Sequence, residues 1–313
     1  MRRVATLLLM AATATAITAC SSNARPDAAS GSSSEPVAAP GCAPARNSLQ
    51  SGANTFAFGG SDRTYLLHLP TGYDGSEPAP LIFDFHGFAS NGDKEEANTA
   101  MGAKGSARGY VVVTPSSVPP EWNEFADPTR PDDYGFVHAL LAELEGDLCI
   151  DPAQVFAAGH SNGSAFVGLL GCKPSGVFRA VAMVSATIPT TCPPTEGPSV
   201  LAVAGTADPQ VPYAGGTVSG STVKIPGVIE TMAGWGTHFG CDPTATPDEP
   251  RPGVQRLQYA GCGTGQQVQL YTIVDGTHPW PGGAAARTDP TNSAAGREFD
   301  ATAAILDFFD AAR

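Results

Sequence analysis

The chain has 313 residues, of which 42% are hydrophobic, so it is long enough to bury a full core in a single domain. Its formal net charge of −13 disfavours nucleic acid as a partner, because an acidic surface repels phosphate.

The first nineteen residues have the features of an export signal. The basic start MRR is followed by an apolar stretch, Val4 to Thr18, which is too short to form a stable transmembrane helix. The stretch ends in ITAC, a pattern typical of a bacterial lipobox, which predicts a lipoprotein signal peptide over 1–19 and a lipid on Cys20. The alternative is ordinary cleavage near Ala19 with Cys20 incidental. We expect an exported protein, anchored by lipid at the outer face of the bacterial cell membrane or extracellular.

Residues 20–41 are rich in Ser, Ala, Pro and Gly and predict a flexible tether, which leaves 42–313 as the folded domain. Without Cys20 the chain has six cysteines, an even number that suits three disulfides in an exported protein. The sequence alone allows fifteen pairings. Proximity favours Cys172–Cys192 and Cys241–Cys262, leaving Cys42–Cys149. No C-x-x-C pair or cysteine–histidine cluster is present, so we expect no metal site.

Strands and helices are predicted to alternate along the domain. The predicted strands are Arg63 to Pro70, Ala79 to Phe85, Tyr110 to Pro115, Gln154 to Ala158, Phe178 to Ser185, Ser199 to Ala204 and Val268 to Val274. The predicted helices are Asp132 to Leu148, a segment from the Ser161 turn to Cys172, Ile229 to Phe239 and Glu298 to Ala312. This alternation predicts one α/β domain with a mostly parallel sheet covered by helices on both faces.

The pentapeptide GHSNG, with Ser161 at its centre, lies between a predicted strand and a predicted helix. A sharp strand-to-helix turn exposes a serine hydroxyl beside a base, and it needs small residues on both sides because strand and helix approach closely. A glycine-rich loop could contain the same pentapeptide by chance. The strand–turn–helix context favours Ser161 as a nucleophile, with the Asn162 backbone N–H directed at a developing oxyanion.

A base and an acid follow Ser161 in the order Ser, acid, His. Of the two histidines far enough downstream, His278 lies in a loop just after the last strand, whereas His238 falls within a predicted helix. Asp208 follows the strand at 199–204 and is the favoured acid. Asp275 is the competitor, but it precedes His278 by only three residues and would have to fold back.

Upstream, the segment His86-Gly87-Phe88 ends an early strand, where a second oxyanion N–H is usually supplied. We assign that N–H to Phe88. Three aromatic residues in loops near strand ends, Trp122, Tyr213 and Trp280, are candidates for contact with substrate, with simple packing as the alternative.

Several separated segments together resemble one family: HG at 86–87, DDYGF at 132–136, GHSNG at 159–163, GTAD at 205–208 with VPY at 211–213, and His278 with WPG at 280–282. They are similar to the polyhydroxybutyrate-depolymerase/feruloyl-esterase/acetylxylan-esterase group of secreted α/β-hydrolases, from about residue 55 onward. The resemblance implies the α/β-hydrolase fold and a triad of Ser161, Asp208 and His278. Ala204, Thr277 and Pro279 depart from the family pattern and leave substrate preference open.

The leading hypothesis is therefore hydrolysis of extracellular carboxylic esters through an acyl-enzyme, with no metal or organic cofactor. The resemblance suggests polyhydroxybutyrate oligomers or feruloyl or acetyl sugar esters as substrates. One alternative is a secreted acyltransferase that uses the same triad. Another is an inactive binding lipoprotein of the cell envelope. We expect a monomer.

Overall fold

The computed structural model describes residues 42, 49–172, 176–189, 192, 197–263 and 265–313; Cys20, the signal segment and the tether lie outside them. Within these ranges the strands are β1 (Gly52–Phe58), β2 (Ser61–His68), β3 (Ala79–Phe85), β4 (Val111–Pro115), β5 (Ile150–His160), β6 (Phe178–Val184), β7 (Ser199–Gly205), β8 (Gly216–Thr217), β9 (Lys224–Ile225), β10 (Thr246–Arg251), β11 (Val254–Tyr259) and β12 (Val268–Ile273). The helices are α1 (Gly92–Thr99), α2 (Met101–Ala107), α3 (Asp133–Asp147), α4 (Asn162–Cys172), α5 (Val228–His238), α6 (Ala284–Thr288), α7 (Ala294–Glu298) and α8 (Ala301–Ala312).

Ten strands form one sheet in the order β1-β2-β4-β3-β5-β6-β7-β12-β11-β10. The central strands from β4 to β12 run parallel to one another, whereas β1, β2, β10 and β11 add antiparallel edges. The prediction of a mostly parallel sheet is confirmed. The predicted bounds of the central strands hold to within a few residues, and the main difference is that β5 is longer than expected.

The central strands are buried on both faces, because successive side chains point to opposite sides of the sheet. In β3, Leu81 and Phe83 contribute to one core, and Ile82 between them contributes to the other. The first core is covered by α3, α4 and α5, and the second by α2 and α8. Each large side chain that is fully buried stabilises the fold by about 1.5–3 kcal/mol.

The carboxyl ends of four parallel strands meet at one edge of the sheet. Phe85 at the end of β3 pairs with Gly159 in β5, and Ile273 at the end of β12 pairs with Gly205 at the end of β7. Loops that leave these ends are therefore brought together, which is where open α/β sheets hold their ligands.

Three disulfides join the six cysteines of the domain: Cys42–Cys149, Cys172–Cys192 and Cys241–Cys262. Proximity in the sequence favours the last two pairs, and Cys42–Cys149 is the pair that they leave; the presence of disulfides suits an exported protein. Within the described part of the chain, no helix is both long and apolar enough to cross a membrane. The same residues contain no group of three or more His, Cys, Asp or Glu side chains arranged to hold a metal ion.

Candidate active site

Ser161 occupies the single position between the end of β5 and the start of α4, and its φ angle is 54°. This left-handed conformation costs a non-glycine residue roughly 1–2 kcal/mol. It is held on both sides: the Ser161 N–H donates to the carbonyl of Val184 at 2.9 Å, and the Ser161 carbonyl accepts from the Ala165 N–H. The sharp turn projects the serine hydroxyl away from the sheet, as expected for an exposed nucleophile.

The glycines on either side of Ser161 allow the strand and helix to approach closely. A Cβ atom on Gly159 would collide with the backbone of Gly163. A Cβ atom on Gly163 would collide with the carbonyl groups of Phe85 and His86. The pattern G-x-S-x-G is thus a steric requirement of this turn rather than a chance feature of a glycine-rich chain.

The side chains of Ser161, His278 and Asp208 form a continuous chain of contacts. His278 Nε2 lies 2.9 Å from Ser161 Oγ, and His278 Nδ1 lies 2.7 Å from Asp208 Oδ2. A carboxylate only accepts hydrogen bonds, so Nδ1 carries the proton and Nε2 presents a lone pair to the serine hydroxyl. The side chains of His278 and Asp208 are 7% and 2% exposed, so water competes little for the contact between them.

Asp208, rather than the alternative Asp275, contacts the imidazole. The second carboxylate oxygen of Asp208 accepts the backbone N–H groups of Gln210 and Val211 at 2.8 and 2.9 Å, which fix its orientation. Asp275 lies in the turn after β12 with a φ of 52°, and its N–H donates to Thr206 Oγ1.

The loop that carries His278 is held from two directions. Gly205 at the end of β7 lies so close to the carbonyls of Gly276 and Thr277 that a Cβ atom there would collide with them. On the other side, the Thr277 N–H donates to Asn292 Oδ1 at 3.1 Å and the Thr277 hydroxyl donates to Asp289 at 2.7 Å. Thr277, which departs from the family pattern, therefore anchors the loop instead of giving it freedom.

His160 also acts on His278, a role that sequence reasoning missed. Its Nε2 lies 3.0 Å from the backbone carbonyl oxygen of His278. Burial, followed by the charge of the neighbouring His278, lowers the pKa of His160 to about 4, so the ring is neutral near pH 7. Because the partner is a carbonyl, Nε2 carries the proton and donates it.

The segment from His86 to Phe88 lies against Ser161. His86 is fully buried; its Nδ1 donates to the Gly87 carbonyl at 2.7 Å and its Nε2 accepts the Ser117 N–H at 3.0 Å. Burial lowers the pKa of His86 to about 4, so this histidine is a neutral structural group. A Cβ atom on Gly87 would lie 3.3 Å from Ser161 Cβ, so the Gly87 backbone packs against the serine, and Phe88 lines the same cavity as Ser161.

The side chain of Asn162 joins the turn at Ser161 to a neighbouring loop. Its Oδ1 accepts the Trp122 N–H at 2.8 Å, and its Nδ2 donates to the Trp122 carbonyl and to Glu124 Oε2. Asn162 begins α4, so its own N–H has no acceptor within the helix. Arg130 strengthens the loop through ion pairs with Glu121 and Glu124 and a hydrogen bond to the Trp122 carbonyl.

A buried ion pair also supports the loop that contains Trp122 and Asn123. Arg63 in β2 contacts Asp133 at 2.8 Å, and its guanidinium lies 3.9 Å from the centre of the Phe136 ring. The other oxygen of Asp133 accepts the Asn123 N–H at 2.8 Å. The segment DDYGF thus contributes a structural anchor, since removing one partner would leave a buried charge unpaired.

A cavity of about 540 Å³ opens beside the serine. It is lined by Gly87, Phe88, Ser90, Lys94, Glu95, Ala97, Asn98, His160, Ser161, Gln210, His278, Pro279, Ala284 and Ala285. The Phe88 side chain is 60% exposed, which is unusual for a large apolar group. The cavity therefore combines an apolar surface with a few polar groups, as small-molecule sites usually do.

The predicted substrate contacts of Trp122 and Trp280 are wrong, because both rings are buried. Trp122 is 0% exposed, stacks on Phe166 and donates its indole N–H to the His86 carbonyl. Trp280 is 1% exposed and donates to the Thr302 hydroxyl. Buried indoles need such acceptors. Tyr213 is half-buried with its hydroxyl 2.6 Å from Thr272 Oγ1, and it does not line the cavity beside Ser161.

No protein-family model matches the chain. Feruloyl esterase C from Emericella nidulans is 29% identical over 231 residues, which cover 71% of this chain and 78% of that protein. The putative esterase NocK from Nocardia uniformis subsp. tsuyamanensis is 28% identical over 278 residues, covering 80% of this chain and 79% of that protein. These relatives support a carboxylic-ester hydrolase.

The solved structure of the acetyl xylan esterase from Aspergillus awamori matches with a TM-score of 0.54 and 12% identity, over 74% of this chain and 95% of that one. The chain has the α/β-hydrolase fold. At this low identity the similarity is one of fold alone.

Proposed function

We propose that this protein is a serine esterase that hydrolyses carboxylic esters through an acyl-enzyme on Ser161. The observation that carries the proposal is the unbroken contact from Ser161 Oγ through His278 to Asp208, at a strained strand-to-helix turn. A hydroxyl is a poor nucleophile until a base accepts its proton, and this arrangement supplies the base and orients it. The relatives named as esterases add independent support.

In the proposed reaction, His278 Nε2 takes the hydroxyl proton as Ser161 Oγ attacks the ester carbonyl. The backbone N–H groups of Phe88 and Asn162 stabilise the negative oxygen of the tetrahedral intermediate. His278 then donates the proton to the leaving alcohol, and the acyl group remains on Ser161. Water, activated by the same histidine, releases the acid, while Asp208 stabilises the imidazolium in both half-reactions.

For the substrate we propose esters of the kinds that the relatives' names and the resemblance suggest: feruloyl or acetyl sugar esters, or hydroxybutyrate oligomers. The exposed ring of Phe88 and the alanines of the cavity wall suit an acyl chain or ring of modest size. A purified enzyme assayed on a panel of acetyl, feruloyl and hydroxybutyrate esters would rank these substrates by kcat/KM.

The direct test of the reaction is Ser161→Ala, assayed with a p-nitrophenyl ester and a fluorophosphonate probe. We expect the variant to lose turnover and labelling together while it keeps the melting temperature of the parent. Ser219→Ala is the matched control, because Ser219 is an exposed turn residue outside the cavity. Retained turnover in Ser161→Ala would reject Ser161 as the nucleophile.

We further propose that residues 1–19 are removed, that Cys20 carries a lipid, and that residues 20–41 tether the domain 42–313 at the outer face of the cell membrane. The sequence ITAC supports this proposal. The six other cysteines are paired in disulfides, so Cys20 is the one cysteine of the chain without a disulfide partner among them. Mass spectrometry of the N-terminal peptide from expressed protein would detect the lipid. A Cys20→Ser variant should shift the enzyme from the membrane fraction to the soluble fraction.

A further inference from the structure

Two walls of the cavity beside Ser161 are formed by α1 and by the segment from Pro279 to Ala285. A hydrogen bond joins these walls, in which the Ala285 N–H donates to Asn98 Oδ1 at 3.1 Å. Because the oxygen of the Asn98 amide is already engaged, its NH₂ group is the end that remains for an occupant. Asn98 therefore contributes a hydrogen-bond donor to the cavity.

Lys94, one turn earlier on α1, also lines the cavity. Its side chain is exposed and makes no ion pair with any described residue. An unpaired ammonium in the lining of the cavity that also contains Ser161 is unusual in a chain with a net charge of −13. It gives the cavity a local positive charge on an otherwise acidic protein.

The one acidic residue in the cavity lining, Glu95, is buried and forms no ion pair with Lys94. Glu95 is 2% exposed, and its Oε1 has no hydrogen-bond partner among the described residues. Burial raises the pKa of Glu95 well above its usual value, and the nearby carboxyl of Asp84 raises it further. The raised pKa favours the neutral form of the Glu95 carboxyl, and Lys94 is the only lysine or arginine among the residues that line the cavity.

We propose that this cavity binds the carboxylate of a substrate that carries both an ester and a free acid group. Lys94 would form the ion pair and Asn98 would donate a hydrogen bond, while Phe88 and the alanines of the walls contact the carbon chain between the two groups. Charge-assisted hydrogen bonds of this kind are stronger than neutral ones. The inference rests on the esterase function proposed above and adds a substrate class to it.

The experiment compares charged and neutral esters of matched shape with the full-length enzyme. The first pair compares monoethyl adipate with diethyl adipate and tests a carboxylate on the acyl side of the ester. The second pair compares 3-acetoxypropanoate with its methyl ester and tests a carboxylate on the alcohol side. We expect kcat/KM to favour the anion in at least one pair, mainly through a lower KM. Lys94→Gln should reduce that preference about tenfold, and Lys94→Arg should retain most of it.

Lys224→Gln is the matched control, because it removes the same charge from the short strand β9, outside the cavity. The inference is overturned if neither anion is preferred, or if Lys94→Gln leaves the preference unchanged. The proposed function fails separately, if Ser161→Ala still turns over the neutral esters. Loss of neutral-ester turnover in Ser161→Ala without any Lys94-dependent preference would reject the carboxylate site alone.

Discussion

The Nε2 atom of His160 lies 3.0 Å from the backbone carbonyl oxygen of His278, so the residue before Ser161, the proposed nucleophile, holds the backbone of the proposed base. The two imidazole rings lie with their centres 5.2 Å apart. The strand end and the loop after β12 are thereby fixed relative to each other. His160 is a positioning residue, because it acts on the serine through His278.

Replacing His160 by Phe should lower kcat by about 10- to 100-fold, with a smaller effect on KM, because small displacements of a base slow proton transfer steeply. His160→Gln should recover much of the loss, since the Gln amide can also donate to the His278 carbonyl. Steady-state kinetics at one pH would measure kcat and KM of both variants, and thermal unfolding would check that they fold. Equal loss in the Phe and Gln variants would argue against a positioning role.

Asp208→Asn should lower kcat by roughly 10⁴-fold, because an amide can hold the imidazole in the wrong tautomer and cannot stabilise its charged form. Asp275→Asn is the matched control, since Asp275 is the other acid near His278 in the sequence. The kcat of Asp275→Asn should stay close to that of the parent enzyme. The reverse ranking in kcat would identify Asp275 as the acid and contradict the geometry of Asp208.

The central strands were predictable because each is a continuous apolar run, as in β3 and β4, whose residues are buried on both faces. The contacts among Ser161, Asp208 and His278 could be anticipated for a related reason. Loops that follow parallel strands emerge at the same edge of a sheet, so chemically suitable residues just after strand ends converge.

Of the outer strands, β2 was predicted from its apolar run, but β1, β10 and β11 could not be predicted in this way. The segment TPDEPR of β10 contains two prolines and three charged residues, and almost all of it is exposed. It is a strand because β11 supplies a pairing partner, not because of any apolar pattern of its own. Prolines are tolerated there because β10 is an edge strand.

The orientation of the large aromatic side chains could not be predicted from the sequence either. Trp122 and Trp280 lie near strand ends, as a substrate contact would require, but both rings point into a core. Proximity in the chain does not determine which way a side chain points once tertiary packing decides it. The role of His160 was hidden for the same reason, since its partner lies 118 residues away.

Gly163→Ala should destabilise the protein by about 1–3 kcal/mol, because the added methyl group would collide with the carbonyls of Phe85 and His86. Activity should fall as well, since Gly163 is two residues from Ser161, the proposed nucleophile. Gly146→Ala is the matched control within helix α3, where a Cβ atom meets nothing within 4 Å. It should stabilise the protein by about 0.5–1 kcal/mol. Chemical denaturation measures the free energy of unfolding of both variants. If Gly163→Ala were as stable as the parent protein, the turn would have relaxed to accommodate the methyl group.

The buried carboxyls of Asp84 and Glu95 should make the protein less stable as the pH rises. Burial, with a further contribution from the charge of Glu96, raises the pKa of Asp84 to about 8. Burial and the charge of Asp84 raise the pKa of Glu95 in the same direction. For an acid whose folded-state pKa is raised, the stabilising contribution is fully present below the unfolded pKa near 4 and is lost as the pH approaches 8.

We therefore expect the free energy of unfolding to fall by on the order of a few kcal/mol between about pH 5 and pH 8 through these groups. Asp84→Asn should flatten that slope, because the amide still accepts the Thr99 hydroxyl bond that Asp84 accepts at 2.9 Å and cannot ionise. Asp62→Asn provides a control at an exposed position on β2. Urea denaturation at several pH values measures the slopes. An unchanged slope in Asp84→Asn would mean that the loss at high pH arises elsewhere in the molecule.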